Sequence, residues 1–187
     1  MMSRVPALER DEVPEPLQGT YDSIIAEHGY ISNMKKTLAH APEVLEAYMQ
    51  FYTADAAVDE FIDERLRSLL MLKVSLANRC ELCSAYYLHV IDNLGIGQEI
   101  ANAVKGEVRD SDFLSEKEKA LLKFGEVAAA DPNGVSDELF ADLKQYYSDA
   151  EIVAIVGLIG LMTATNNFNS ILKVELDSHL LPYRPEF

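Results

Sequence analysis

Three short patterns, Asn78-x-x-Glu81, Ser115-x-x-Glu118 and Ser148-x-x-Glu151, each stand at the head of a segment with helical character. A small polar residue followed three places on by glutamate marks a helix start. The first side chain accepts from a backbone N–H of the opening turn, and the glutamate accepts from the N–H of the first residue. Pro42 suits a first helical position, where its missing N–H costs nothing. No segment alternates apolar and polar residues long enough to make a strand. The chain therefore reads as all-α, with roughly eight helices.

The predicted helices cover residues 21–28, 31–38 and 42–57, then an apolar stripe from Phe61 to Ala77. With Asn78 as N-cap, the next runs from Arg79 to about Asn93 and stops at Gly95. Shorter helices follow over 98–105, 115–130 and 136–147, and a long apolar one runs from Ser148 through Leu172. Residues 1–20, with Pro6, Pro14, Pro16 and Gly19, read as an extended arm that orders only against another surface. Residues 21–187 read as a single domain, and the tail beyond Leu181, with two prolines, as irregular. The helices after Asp63 and after Asp149 both run apolar and then meet asparagine, a likeness better explained by shared composition than by a repeat.

Length and charge narrow the function classes. A chain of 187 residues can bury a full core unaided. A formal net charge of −15 argues against nucleic acid and against anionic membrane surfaces, both of which need clustered cations. The longest apolar run, Ile152 to Met162, is short for a bilayer span and reads as a buried helix. The first residues lack a basic stretch leading into an apolar one, so the expected location is cytoplasmic. Cysteines in that compartment point to catalysis or metal binding more than to a structural bridge.

Both cysteines fall in one stretch, "NRCELCSAYYLH", Asn78 to His89. Under the cap assigned to Asn78, Cys80 lies in the first helical turn, where free N–H groups and the helix dipole favour a thiolate. Cys83 lies one turn on. Residues three apart on a helix have Cβ atoms about 5–6 Å apart. A disulfide wants about 3.5–4.5 Å, so a modest adjustment of that turn closes the pair. Tyr86 and Tyr87 follow on or near the same face, while His89 is turned about 120° away. Two plainer readings stand beside the redox pair: two core cysteines, or half of a zinc site. Against zinc, no second Cys-x-x-Cys exists and His28, His40, His89 and His179 lack ligand spacing, so neither metal nor cofactor is expected.

The run "RLRSLLMLKVSLANRCELCSAYYLHVIDNLGI" resembles the carboxymuconolactone decarboxylase-like superfamily, and within it the alkyl hydroperoxidase D-like branch. The stretch "EIVAIVGLIGLMTATNNFNSILKVELD" resembles that family's C-terminal helix, so the likeness covers about Phe61 to Asp177. The resemblance implies an alkyl hydroperoxidase D-like helical bundle assembled as a homo-trimer or homo-hexamer. It implies thiol peroxidase or disulfide oxidoreductase activity on a hydroperoxide or small disulfide, fed by a thiol reductant such as a lipoyl-bearing protein. By the same resemblance Cys83 attacks the peroxide and Cys80 resolves the sulfenic acid. The dipole argument favours Cys80 as the more acidic thiol.

The family's proton relay is missing. Its glutamate, twelve residues before the first cysteine, is here Ser68, and its histidine, four residues after the second, is here Tyr87. A further histidine that some members place between the cysteines is here Leu82. Ser68 and Tyr87 are expected to polarise the site. Glu64, one turn before Ser68, and His89, brought round from a neighbouring subunit, are the candidate substitutes. Two other outcomes stay open on the same scaffold: a decarboxylase or lactone-handling enzyme, and a non-enzymatic oligomer whose cysteines pack or sense redox state.

Overall fold

The computed structural model describes residues 3–51 and 56–187. Nine α-helices lie among the described residues: α1 (Glu15–His28), α2 (Asn33–Leu38), α3 (Pro42–Phe51), α4 (Glu64–Ala77), α5 (Glu81–Asn93), α6 (Gln98–Lys105), α7 (Glu116–Ala130), α8 (Asp137–Lys144) and α9 (Asp149–Leu172). There is no strand among them, so the all-α expectation holds. The Ser115 and Ser148 boxes form as read: each serine accepts from the N–H three residues on, and Glu118 and Glu151 reach back to the cap N–H.

Helix α4 is the axis of the bundle. Leu69, Leu70, Leu72 and Val74 are sealed from solvent, as is Met71, and from Leu69 to Leu72 the helix is apolar on every side. A helix with that pattern must be enclosed. It packs against α5, α6, α7 and α9. It meets α7 closely at Gly125, where a Cβ would collide with the Leu70 side chain. Lys73 is buried beside it. Its ammonium donates to the Gly106 carbonyl at 2.9 Å and pairs with Glu126 at 2.9 Å, which meets the requirement that a buried charge be paired.

A second apolar cluster forms from the N-terminal segment and α1–α3, including Val13, Tyr21, Ile24, Met34 and Leu45. It also takes in Leu82 from α5 and Val174 from just after α9, whereas Leu88 and Ile91 of α5 belong to the main core. Helix α5 thus joins the two clusters, and its first turn lies at their seam.

Several boundaries differ from the sequence reading. Helix α1 opens at Glu15, inside the stretch read as arm, because Pro16 sits at the second helical position, where no N–H is needed. Residues 3–14 pack on their own chain: Arg4 N–H donates to the Leu172 carbonyl at 2.8 Å, and the Tyr21 hydroxyl to that of Leu8 at 2.9 Å. The expected end of α3 near Ala57 passes through residues outside those described. Helix α4 starts at Glu64, since Asp63 caps it by accepting from Leu66 N–H at 2.7 Å. The tail is partly ordered as a 3₁₀ turn over Ser178–Tyr183. Helix α9 is less enclosed than expected. Val153, Val156, Gly157 and Gly160 face outward, and 28% of its most apolar window is buried. By length and hydropathy α9 could cross a membrane; its place in the bundle, against α4 and α7, is that of a core-edge helix.

Candidate functional site

The turn between α4 and α5 decides how the two thiols meet. Asn78 is the C-cap of α4, not the N-cap of α5 as its spacing to Glu81 suggested. Arg79 follows with φ 53°, in the left-handed region. Arg79 N–H then donates to the Leu76 carbonyl at 3.0 Å and Cys80 N–H to that of Ser75 at 2.9 Å. These two bonds are a Schellman closure, which offsets the roughly 1 kcal/mol that a left-handed conformation costs a residue with a Cβ. The closure consumes Asn78 and moves the cap two residues along, so Cys80 itself is the N-cap of α5. Its sulfur accepts from the Cys83 N–H at 3.4 Å.

Both thiols are free and buried. Their lining is polar. The Asn169 amide Nδ2 donates to the Cys83 sulfur at 3.2 Å. One turn back, Asn166 donates to Ser75 Oγ at 3.2 Å and accepts from Asn78 Nδ2 at 3.0 Å, which ties α9 to the end of α4. Tyr48 of α3 stands near enough for its hydroxyl to feel charge on Cys83, and its ring meets Phe168 at 5.8 Å. Burial, then that charge, raise the Tyr48 pKa.

The two thiols shift each other in opposite directions. Interaction with the Cys83 thiol, more than any other cause, lowers the Cys80 pKa. Burial opposes it, while the Cys83 N–H, Ser170 and Asn166 reinforce it. Cys83 is pushed well up, first by interaction with the Cys80 thiol, then by burial and by the charge on its partner, with Asn169 and Asn166 pulling the other way. Of the pair, Cys80 is the more acidic thiol and Cys83 the less. The groups that act most strongly on the two sulfurs are each other, Ser170, Asn166 and Asn169, with no carboxylate or imidazole among them. Among the described residues, no cluster of three or more His, Cys, Asp or Glu could hold a metal.

The other residues singled out from the sequence lie elsewhere. Tyr87 is half-buried one turn beyond Cys83, its ring 5.1 Å from that of Tyr86. Ser68 is buried on α4, about two turns before Ser75. Glu64 is exposed in the first turn of α4, roughly 16 Å of helix before Ser75, so a single water does not bridge it to the thiols. His89 belongs to a different group. Its ring stacks edgewise on His179 at 5.3 Å and Tyr183 at 5.0 Å, and Nε2 meets Asn93 Nδ2 at 3.0 Å. These contacts fasten a C-terminal strap, Ser178 to Phe187, along α5. Tyr183 donates to Asp92 at 2.6 Å, Arg184 pairs with Glu81 at 2.7 Å, and Arg79 lies over the Phe187 ring. The strap therefore grips the residues on both sides of Cys80.

Sequence reasoning missed Asn166, Asn169, Ser75 and Tyr48. Asparagine is a poor residue for a helix interior because its amide competes for backbone partners. Three asparagines within one turn of an apolar helix, at 166, 167 and 169, were the signal available.

Comparison with known proteins follows the same lines. Residues 42–104 match the carboxymuconolactone decarboxylase family. The uncharacterized Escherichia coli protein YnjA is 25% identical over 114 residues, 60% of this chain, and the match spans 62% of that relative's length. An alkylhydroperoxidase AhpD core, an uncharacterized peroxidase-related protein from Ralstonia eutropha, superposes with a TM-score of 0.80 at 18% identity, covering 96% of this chain and 95% of that one. The debrominase Bmp8 superposes with a TM-score of 0.79 at 22% identity, covering 96% and 95%. A cysteine-to-alanine variant of Bmp8, in complex with 2,3,4-tribromopyrrole, gives 0.80 at 22% identity, covering 98% and 96%.

Proposed function

Because residues 42–104 match the carboxymuconolactone decarboxylase family and the fold is that of an alkylhydroperoxidase AhpD core, we propose that the chain is a thiol oxidoreductase whose Cys80 and Cys83 cycle between dithiol and disulfide while reducing a hydroperoxide. The observation that carries this reading is the pair of buried cysteines at the α5 N-cap, with the Cys83 N–H on the Cys80 sulfur and the Asn169 amide on the Cys83 sulfur.

The pair supplies its own proton. In the Cys80 thiolate form, passing the proton from Cys83 to Cys80 leaves a Cys80 thiol and a Cys83 thiolate, the latter held by the Asn169 amide. The Cys83 sulfur attacks the outer oxygen of the hydroperoxide, and the O–O bond breaks. The departing alkoxide takes the proton from Cys80 and leaves as alcohol. Cys80, again a thiolate, attacks the sulfenic acid on Cys83, forms the disulfide and expels hydroxide, which solvent neutralises. One hydroperoxide is reduced by two electrons and two thiols are oxidised. This assignment gives Cys83 the attack implied by the family resemblance and makes Cys80 its base, so no distant Glu64 or His89 is required. A thiol donor, of which a lipoyl-bearing protein is one kind, would restore the dithiol.

A second reading draws on Tyr48, which senses charge on Cys83 and packs against the Phe168 ring, and on the debrominase with the same fold. Attack on a ring bromine transfers it to the Cys83 sulfur, and the ring carbon takes the proton from Cys80. The Cys80 thiolate then displaces bromide to form the same disulfide. We take the protein to be a cytoplasmic homo-oligomer, a trimer or hexamer, whose contacts use the outward face of α9.

The test is a single-turnover titration. One equivalent of cumene hydroperoxide should remove both thiols, lower the mass by two hydrogens and yield one equivalent of alcohol. Cys83→Ser should abolish this, and Cys80→Ser, which also loses the base, should form a sulfenic acid more slowly and stop there. Thiols that persist through the treatment would sink the reading.

A further inference from the structure

We infer that Asn169 orients the substrate, and that the substrate carries an O–H or N–H donor beside the atom that the sulfur attacks. The inference rests on the thiol-oxidoreductase reading and deepens it.

Asn169 is 3% exposed. One end of its amide is engaged: Nδ2 donates to Cys83 Sγ at 3.2 Å and touches Met34 Sδ at 3.6 Å. The other end, Oδ1, is sealed from solvent and accepts from no group among the described residues. Buried carbonyl oxygens are rarely left so, because desolvation without a replacement bond is costly. Asn166, on the same helix one turn earlier, makes the contrast. Its Oδ1 accepts from Asn78 and its Nδ2 donates to Ser75, so that amide is used at both ends to join two helices. Asn169 is instead half-used, and the unused half adjoins the reacting sulfur.

An amide is planar, and its oxygen and nitrogen diverge from one carbon. A donor held at Oδ1 therefore lies beside the sulfur bonded to Nδ2. A hydroperoxide fits, with its O–H on Oδ1 and its O–O bond turned to Cys83. A halogenated pyrrole fits by the same logic, with its N–H on Oδ1 and a ring halogen toward the sulfur. A dialkyl peroxide, an N-methylpyrrole and a small disulfide lack the donor. Asn169 is in these terms a positioning residue that selects among soft electrophiles.

The experiment compares single-turnover thiol loss in the wild type and Asn169→Ala. The substrates are cumene hydroperoxide, di-tert-butyl peroxide, 2,3,4-tribromopyrrole, its N-methyl derivative and an aromatic disulfide. Losing Nδ2 slows every substrate, so the informative readout is the ratio of rates. Asn169→Ala should lower the rate on a donor-bearing substrate about 10- to 100-fold more than the rate on the disulfide, as expected for one bond to a strongly polar group. On the wild type, which needs no variant to fold, capping the donor should cost a similar factor. The hydroperoxide and pyrrole arms distinguish the two sources of the donor. Equal losses on donor-bearing substrate and disulfide, or capped substrates as fast as uncapped ones, overturn the inference and leave the oxidoreductase reading standing. Wild-type thiols that survive both the hydroperoxide and the bromopyrrole overturn the reading and the inference together.

Discussion

Cys80 is shifted toward the thiolate and Cys83 toward the thiol, the Cys80 sulfur taking the Cys83 N–H and interacting with the Cys83 thiol. A thiolate at a helix N-cap gains from both the free N–H groups and the dipole. Replacing Cys83 by alanine removes that thiol but keeps the N–H. The Cys80 thiolate is then less stabilised, its pKa rises, and the midpoint of its alkylation by iodoacetamide should move up by about one pH unit. An unmoved midpoint would mean that the backbone alone sets the charge. The half-paired amide of Asn169 belongs to this scale too. Its contact with Cys83 crosses 86 residues of chain, which is why no local pattern announced it.

At the scale of elements, α4 and α7 approach so closely at Gly125 that a methyl group there meets Leu70. Gly125→Ala should destabilise by roughly 1–3 kcal/mol through overpacking, read as a lower midpoint in urea with an unchanged slope. The gain in helix propensity, at most about 1 kcal/mol, works against that loss, so a neutral result would show that Leu70 can swing aside. The C-terminal strap is a different kind of contact. Its pair Arg184–Glu81 is about half exposed, and Arg79 lies over a Phe187 that is 51% exposed. Exposed pairs contribute up to about 1 kcal/mol, which is enough to bias a local opening without holding the fold. Arg184→Ala combined with Phe187→Ala should speed labelling of the buried thiols up to about five-fold while leaving thermal stability nearly unchanged. Labelling at the wild-type rate would place the entrance elsewhere along the seam.

The whole molecule puts an apolar face on the outside. Val153 is 72% exposed and Val156 48%, on a helix whose inner face supplies Asn166 and Asn169 to the thiols. With a net charge of −15, copies of the chain repel one another except where such a face can be buried. Val153→Lys with Val156→Lys should therefore lower the mass measured by light scattering toward that of one 20.9 kDa chain. A mass unaffected by both lysines would move the contact to another surface.

The sequence by itself determined the helical class, the serine caps of α7, α8 and α9, the glycine stop after α5 and the closeness of the two cysteines. Each of these follows from interactions spanning a few residues, which local chemistry specifies. Only the tertiary structure decided which residue caps α5. Asn78 and Cys80 compete for that role, and the outcome depends on α4 closing its own carbonyls through a left-handed Arg79, with Asn78 drawn away to Asn166. The tertiary structure likewise separated Glu64 and His89 from the sulfurs and brought Asn169 to them, because helix direction and packing, not sequence spacing, set distances between segments. A thiol pair could thus be read from twelve residues, whereas the amide that holds one of its sulfurs came from a helix whose packing no local rule describes.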